Sequence, residues 1–128
     1  MNIGEASHYS GVPPKTIRYY EDIGLIQPAA RHANNYRDYD DDGIRTLQFL
    51  KRARSLGFSI EDCRDLLSLY QDRQRSSADV KDVARRRVRE IETKIAELET
   101  MRSTLNRLIE ECRGDKRPEC PILDDLAR

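Results

Sequence analysis

The chain has 128 residues, 38% hydrophobic and 36% charged, and its 23 Lys plus Arg balance 23 Asp plus Glu to a formal net charge of zero. That is room for one domain, or a small domain with an appendage, whose thin apolar core calls for completion by a second copy. No apolar run approaches the roughly 18 residues of a membrane span, and the opening MNIGEASHYSG lacks a basic stretch followed by an apolar one, so neither a membrane protein nor a secretory signal is expected and the protein is read as cytoplasmic, where thiols stay reduced.

Ile3, Ala6 and Tyr9 are spaced as on a helix that ends at Ser10-Gly11. Pro13 and Pro14 fit a second helix start and Gly24 its end, so the pair reads as a helix-turn-helix. Leu25-Ile26 and Tyr36 to Tyr39 are expected as two short strands of a hairpin wing, with Pro28, Arg31, Asn34 and Asn35 in the loop between them. Asp40 to Asp42 supply an N-cap and first-turn negative charge for a helix through GIRTLQFLKRARSLG. Ser59 opens another through the box SIED, and RQRSS breaks the pattern. From about Ser77 to Cys112 there is no Gly or Pro, and Val88, Ile91, Ile95, Leu98, Arg102, Leu105 and Ile109 recur at spacings of three and four. This is a heptad seam with one basic interruption, which a lone helix cannot bury, so it predicts pairing with its twin. Gly114 suits a left-handed stop, and PILDDLA one last helical turn or two.

Two stretches carry chemistry. KTIRYY points Ile17 inward and sets Lys15, Thr16, Tyr19 and Tyr20 around Arg18. Arginine can read guanine bidentately, while Lys, Thr and Tyr donate to phosphates. Arg31, Tyr36 and Arg37 of the wing and KRAR, Lys51 to Arg54, on the next helix extend the set. Eight Lys/Arg against six Asp/Glu between residues 13 and 54 make the segment only mildly basic. A solvated helical face with half-buried tyrosines is the plainer alternative, and the helix-turn-helix with its wing favours DNA. The second stretch is EECRGDKRPECPIL, where seven residues separate Cys112 from Cys120. In a reducing compartment such a pair is metal-binding or redox-active rather than a structural disulfide. Cys63 reads as a core or boundary thiol, His8 and His32 as surface residues, and Met101, beside the helical seam, as core. The run Arg85 to Arg87 with Arg89 reads as a solvated coiled-coil face. With no Gly-rich phosphate loop, nucleophile–His arrangement or carboxylate pair, no enzyme is expected.

IGEAS, SGV and KTIRYYEDIGLI, followed by NNYRDYDDDGIRTLQFLKRARSLGFSIEDCRDLL, resemble the MerR family of bacterial transcription regulators over nearly the whole chain. The resemblance implies a mainly α fold: a winged helix-turn-helix DNA-binding region at 1–40, linking helices completing that domain at 41–75, an antiparallel coiled-coil dimerisation helix at 76–112, and a metal-binding loop with a C-terminal helical turn at 113–128. The implied partners are a second copy of the chain, double-stranded promoter DNA with a pseudo-palindromic operator and bacterial RNA polymerase. The implied DNA set is Lys15, Thr16, Arg18, Tyr19, Tyr20, Arg31, Tyr36, Arg37 and Arg54.

Within the family, SSADVK and the C-x7-C-P loop resemble the copper-efflux regulator branch, whose members sense Cu(I) and commonly respond to Ag(I) and Au(I). Carried over, Cys112 and Cys120 would hold one Cu(I) per loop. Soft thiolates select this ion, which accepts two ligands, whereas Zn(II) wants four. The dithiolate complex keeps one negative charge. Ser77 and Lys81 of the partner subunit, at the start of its long helix, would offset it. Divalent-metal branches typically carry Cys where Ser77 stands, so a monovalent ion is favoured. The implied action is activation of copper-efflux genes, by metal-induced distortion of an over-long promoter spacer. Two alternatives are a redox regulator with a Cys112–Cys120 disulfide and a copper-sequestering protein with no promoter.

Overall fold

The computed structural model describes residues 1–31 and 37–128, so the expectations for His32, Asn34, Asn35 and Tyr36 lie outside the described residues. The chain divides into two compact units, Met1–Ala84 and Arg85–Arg128. Among the described residues no helix is long and apolar enough to cross a membrane.

The first unit opens with α1 (Ile3–Ser10) and α2 (Pro14–Asp22). Asn2 caps α1 by accepting the Glu5 N–H at 2.8 Å, and Gly11 ends it in the left-handed region at φ 77°. A side chain at Gly11 would be strained, and its Cβ would overlap the Lys51 ammonium. Pro14 opens α2, where its missing N–H costs nothing. A two-stranded antiparallel wing follows, β1 (Ala30–Arg31) against β2 (Arg37–Asp38), in the register Ala30 to Asp38 and Arg31 to Arg37.

The first wing strand is therefore not Leu25-Ile26. Both of those N–H groups turn back to the Tyr20 carbonyl, at 2.9 and 3.3 Å. They close the C-terminus of α2, and buried Leu25 joins the core. An apolar pair after a helix satisfies that helix's free carbonyls as readily as it starts a strand.

Helix α3 (Asp41–Ser55) starts at Asp40, whose carboxylate accepts the Gly43 N–H at 2.8 Å, and α4 (Ile60–Gln71) starts at Ser59, which accepts the Asp62 N–H at 3.0 Å. The core of the unit gathers the inner faces of these helices, with Ala6, Ile17, Leu50 and Cys63 fully enclosed. Val83, near the start of α5 (Ser77–Glu111), belongs to the same core.

The second unit comprises the rest of α5, a loop and the short α6 (Pro121–Leu126). Along α5, Val88, Ile91, Ile95, Leu98, Leu105 and Ile109 are all between 38% and 58% exposed in a single chain. The heptad stripe is present and lies exposed on the single chain.

Candidate nucleic-acid interface and thiol loop

Helical spacing sorts the residues of α2. Lys15, Arg18 and Tyr19 stand at i, i+3 and i+4 and share one face, and all three are exposed. Thr16 is half-buried at its margin. Ile17, Tyr20 and Glu21 repeat the same spacing on the opposite face and are buried. Tyr20 thus departs from the expected outward set: at 6% exposure it packs in the core because it lies three residues after Ile17. Burial also raises the pKa of its hydroxyl, with the nearby Arg54 charge opposing the shift.

The remaining expected contacts fall on other elements. Arg31 and Arg37 face each other across the wing ladder. Arg37 donates its Nε to Glu21 at 3.0 Å. Arg54 donates to the Phe58 carbonyl at 2.6 Å, so it braces the turn between α3 and α4. Arg18, Arg31 and Arg37 thus sit on α2 and the wing, Tyr20 is buried in the core, and exposed Arg54 holds the turn after α3 through one guanidinium nitrogen.

Sequence reasoning missed Glu21. Its carboxylate is buried, accepts the Tyr39 hydroxyl at 2.6 Å, and takes Arg37 on its other oxygen. Burial first, and the bond to Glu21 second, push the Tyr39 pKa far above its usual range. The available signal was an acid on the phase of Ile17, directly after the outward basic face.

In the second unit, Cys112 and Cys120 are free, half-buried thiols at the two ends of one loop. The Cys112 N–H still bonds to the carbonyls of Leu108 and Ile109, at 3.1 and 3.2 Å, so this thiol leaves from the last turn of α5. Cys120 precedes Pro121 in extended geometry, and its carbonyl accepts the Asp124 N–H at 3.0 Å. Between them Gly114 turns at φ 66°. Asp115 then accepts the Arg117 N–H at 2.9 Å and pairs with Arg117 Nε at 3.0 Å. Asp115 was also missed, although Gly-Asp after a helix end is a recognisable turn signal. Among the described residues no group of three or more His, Cys, Asp or Glu side chains comes together. The loop carries one thiol at each end, and a pair of thiolates, where both meet one ion, suits a soft ion of low coordination number better than a tetrahedral divalent one.

Ser77 and Lys81 lie in the first unit, one turn apart, and line a shallow depression with Arg73 and Arg75. The two arginines come from the segment read only as a helix break. The cap of α5 is Ser76, whose hydroxyl accepts the Ala78 N–H at 3.1 Å. Cys63 is fully buried in the core, and burial raises its thiol pKa.

A family model described as MerR HTH family regulatory protein matches residues 1–69, and one described as MerR, DNA binding, matches residues 44–108. The chain is 57% identical over 127 residues to the HTH-type transcriptional regulator HmrR of Rhizobium leguminosarum bv. viciae, covering 99% of this chain and 98% of that protein. It is 42% identical over 127 residues to the HTH-type transcriptional regulator CueR of Salmonella typhimurium, covering 99% and 92%. Among solved structures, a transcription regulator from Ralstonia metallidurans CH34 in complex with lead(II) superposes with a TM-score of 0.86 at 29% identity, covering 98% of each chain.

Proposed function

The chain belongs to the MerR family of helix-turn-helix regulatory proteins, and we propose that it is a homodimeric transcription activator, cytoplasmic in a bacterium, that responds to Cu(I). The observation that carries the metal assignment is the donor set: two free thiols, Cys112 and Cys120, on one loop, with Ser rather than Cys at position 77. Its similarity to HmrR and CueR agrees with this reading.

Cys112 and Cys120 hold one ion, and Ag(I) or Au(I) fit the same pair. A bound monovalent ion supplies a fixed, singly negative dithiolate centre that links the two ends of the loop. Ser77 and Lys81 of the partner subunit offset its charge. In the first unit, Lys15, Arg18 and Tyr19 face the duplex from α2, with Thr16 at the margin, and Arg31 and Arg37 reach it from the wing. Two copies paired along the exposed α5 stripe read a two-fold operator. The metal acts only through its higher affinity for the activating state, in which the DNA domains untwist an over-long promoter spacer for RNA polymerase. Selectivity then includes the cost of deforming DNA as well as base contacts.

Anaerobic metal titration of the reduced protein with metal-edge X-ray absorption tests the assignment. Two sulfur neighbours around Cu(I), lost in Cys112→Ser, are expected. Tetrahedral Zn(II) with no preference for Cu(I) would overturn it. Activation by peroxide in metal-free protein would replace it with the disulfide reading. Tight Cu(I) binding without retention of any promoter fragment would leave a copper-sequestering protein.

A further inference from the structure

Glu21 is a charged residue that the DNA-binding reading leaves unused, and it is 9% exposed. It sits on the buried face of α2, next in the chain to Tyr20 and one turn after Arg18. A buried carboxylate is expensive unless its oxygens are paired. Both oxygens are: Oε1 accepts the Tyr39 hydroxyl at 2.6 Å and Oε2 accepts Arg37 Nε at 3.0 Å. Tyr39 itself is buried, and its N–H donates to the Met1 carbonyl at 2.6 Å. The recognition helix is thus tied to both residues flanking Asp38 in the second wing strand.

Two details give this tie a direction. The bond to Arg37 uses Nε, one edge of the guanidinium, whose outer edge carries the two η-nitrogens that match a phosphate bidentately. Arg37 also stands directly opposite Arg31 across the wing. Like charges directly opposite destabilise a strand pair. Glu21 relieves that repulsion from the Arg37 side, and a phosphate on the η-nitrogens would relieve it further.

We infer that Glu21 is a positioning residue for DNA binding: it grips Arg37 and Tyr39 from inside the recognition helix and holds the wing so that Arg37 meets a backbone phosphate of the duplex on which α2 lies. This rests on the DNA-binding reading above. It has a consequence of unusual sign. Removing a carboxylate near a DNA surface normally strengthens binding by charge alone. Here the loss of Glu21 weakens it, because Arg37 is released.

The test uses the full-length, reduced dimer and a duplex selected by the wild-type protein from a random pool. Affinity is measured across a series of salt concentrations for wild type, Glu21→Gln, Arg37→Gln and the double variant, with circular dichroism melts of each. Glutamine keeps an acceptor for Tyr39 and removes the charge that holds Arg37. Glu21→Gln and Arg37→Gln should each bind about tenfold more weakly. Each should also flatten the slope of log affinity against log salt by about one, and the double variant should fall no further than either single one. Equal or tighter binding by folded Glu21→Gln with an unchanged slope, or additive losses in the double variant, would overturn the inference. Arg37→Gln keeps the test decisive if Glu21→Gln melts, since an unchanged slope in Arg37→Gln alone removes the phosphate contact Glu21 is said to position. Failure of the wild-type protein to select any duplex would instead defeat the DNA-binding reading itself.

Discussion

The Ser76 hydroxyl accepts the Ala78 backbone N–H at 3.1 Å, so Ser76 rather than Ser77 caps the long helix α5. Two adjacent serines therefore have separable roles. Ser76→Ala should cost about 1 kcal/mol of stability, and Ser77→Ala within about 0.5 kcal/mol, both read from urea unfolding at a fixed protein concentration. Ser77→Cys should add a third thiol and shift preference toward divalent ions, measured by competition between Cu(I) and Zn(II). Equal stability losses in the two alanine variants would contradict the division.

Asp115 orders the thiol loop through one backbone bond and one exposed ion pair with Arg117. Exposed pairs contribute little, whereas the turn itself lowers the entropy lost when the loop closes on an ion. Asp115→Ala should weaken Cu(I) binding by roughly threefold to tenfold, with Asp115→Asn near wild type because its amide oxygen keeps the turn. Competition with a Cu(I) chelator reads both, and equal losses would assign the effect to the charge.

The unfolded-state pKa of Tyr39 is about 10, and the folded value lies well above it. The folded state therefore retains its proton where the unfolded chain has lost it. The contribution of this group is fully present below about pH 10 and disappears as pH climbs from there toward the folded value. Tyr39→Phe loses a buried hydrogen bond to Glu21 and should be about 1 kcal/mol less stable at neutral pH. That difference should narrow above about pH 10. Urea midpoints on both sides of that pH check it, and a constant difference would show that the hydroxyl is not held neutral by the fold.

Leu98 stands mid-way along the exposed stripe of α5. In the proposed dimer, Leu98→Asp buries two uncompensated carboxylates per dimer, a cost of several kcal/mol. Sedimentation should find the variant monomeric at concentrations where the wild type is dimeric. An unchanged dimer would place the contact on another face.

The helices were legible because each carries its own punctuation. Asp40 and Ser59 sit as caps where their sequence context places them, and the uninterrupted stretch before Cys112 is one helix. Leu25-Ile26 misled because hydrophobicity shows that a residue is buried, not which backbone partner its N–H finds. Tyr20 misled through its neighbours: a basic, aromatic run looks uniform in sequence, and only the helical phase separates Tyr19, outside, from Tyr20, inside. The two cysteines were visible by residue type. Glu21 and Asp115 were not, since their importance lies in pairings to Tyr39, Arg37 and Arg117, which residue type does not disclose.

The bare stripe along α5 makes mass action part of the molecule's design. A helix with this much exposed apolar surface gains stability from association, so in the proposed dimer folding and pairing are linked and their balance depends on how many copies are present. Dilution then does more than separate subunits: it loosens the helix from whose last turn Cys112 projects. Its melting temperature should rise with protein concentration, and below a threshold abundance the thiol loop would lose its scaffold before any metal is in question.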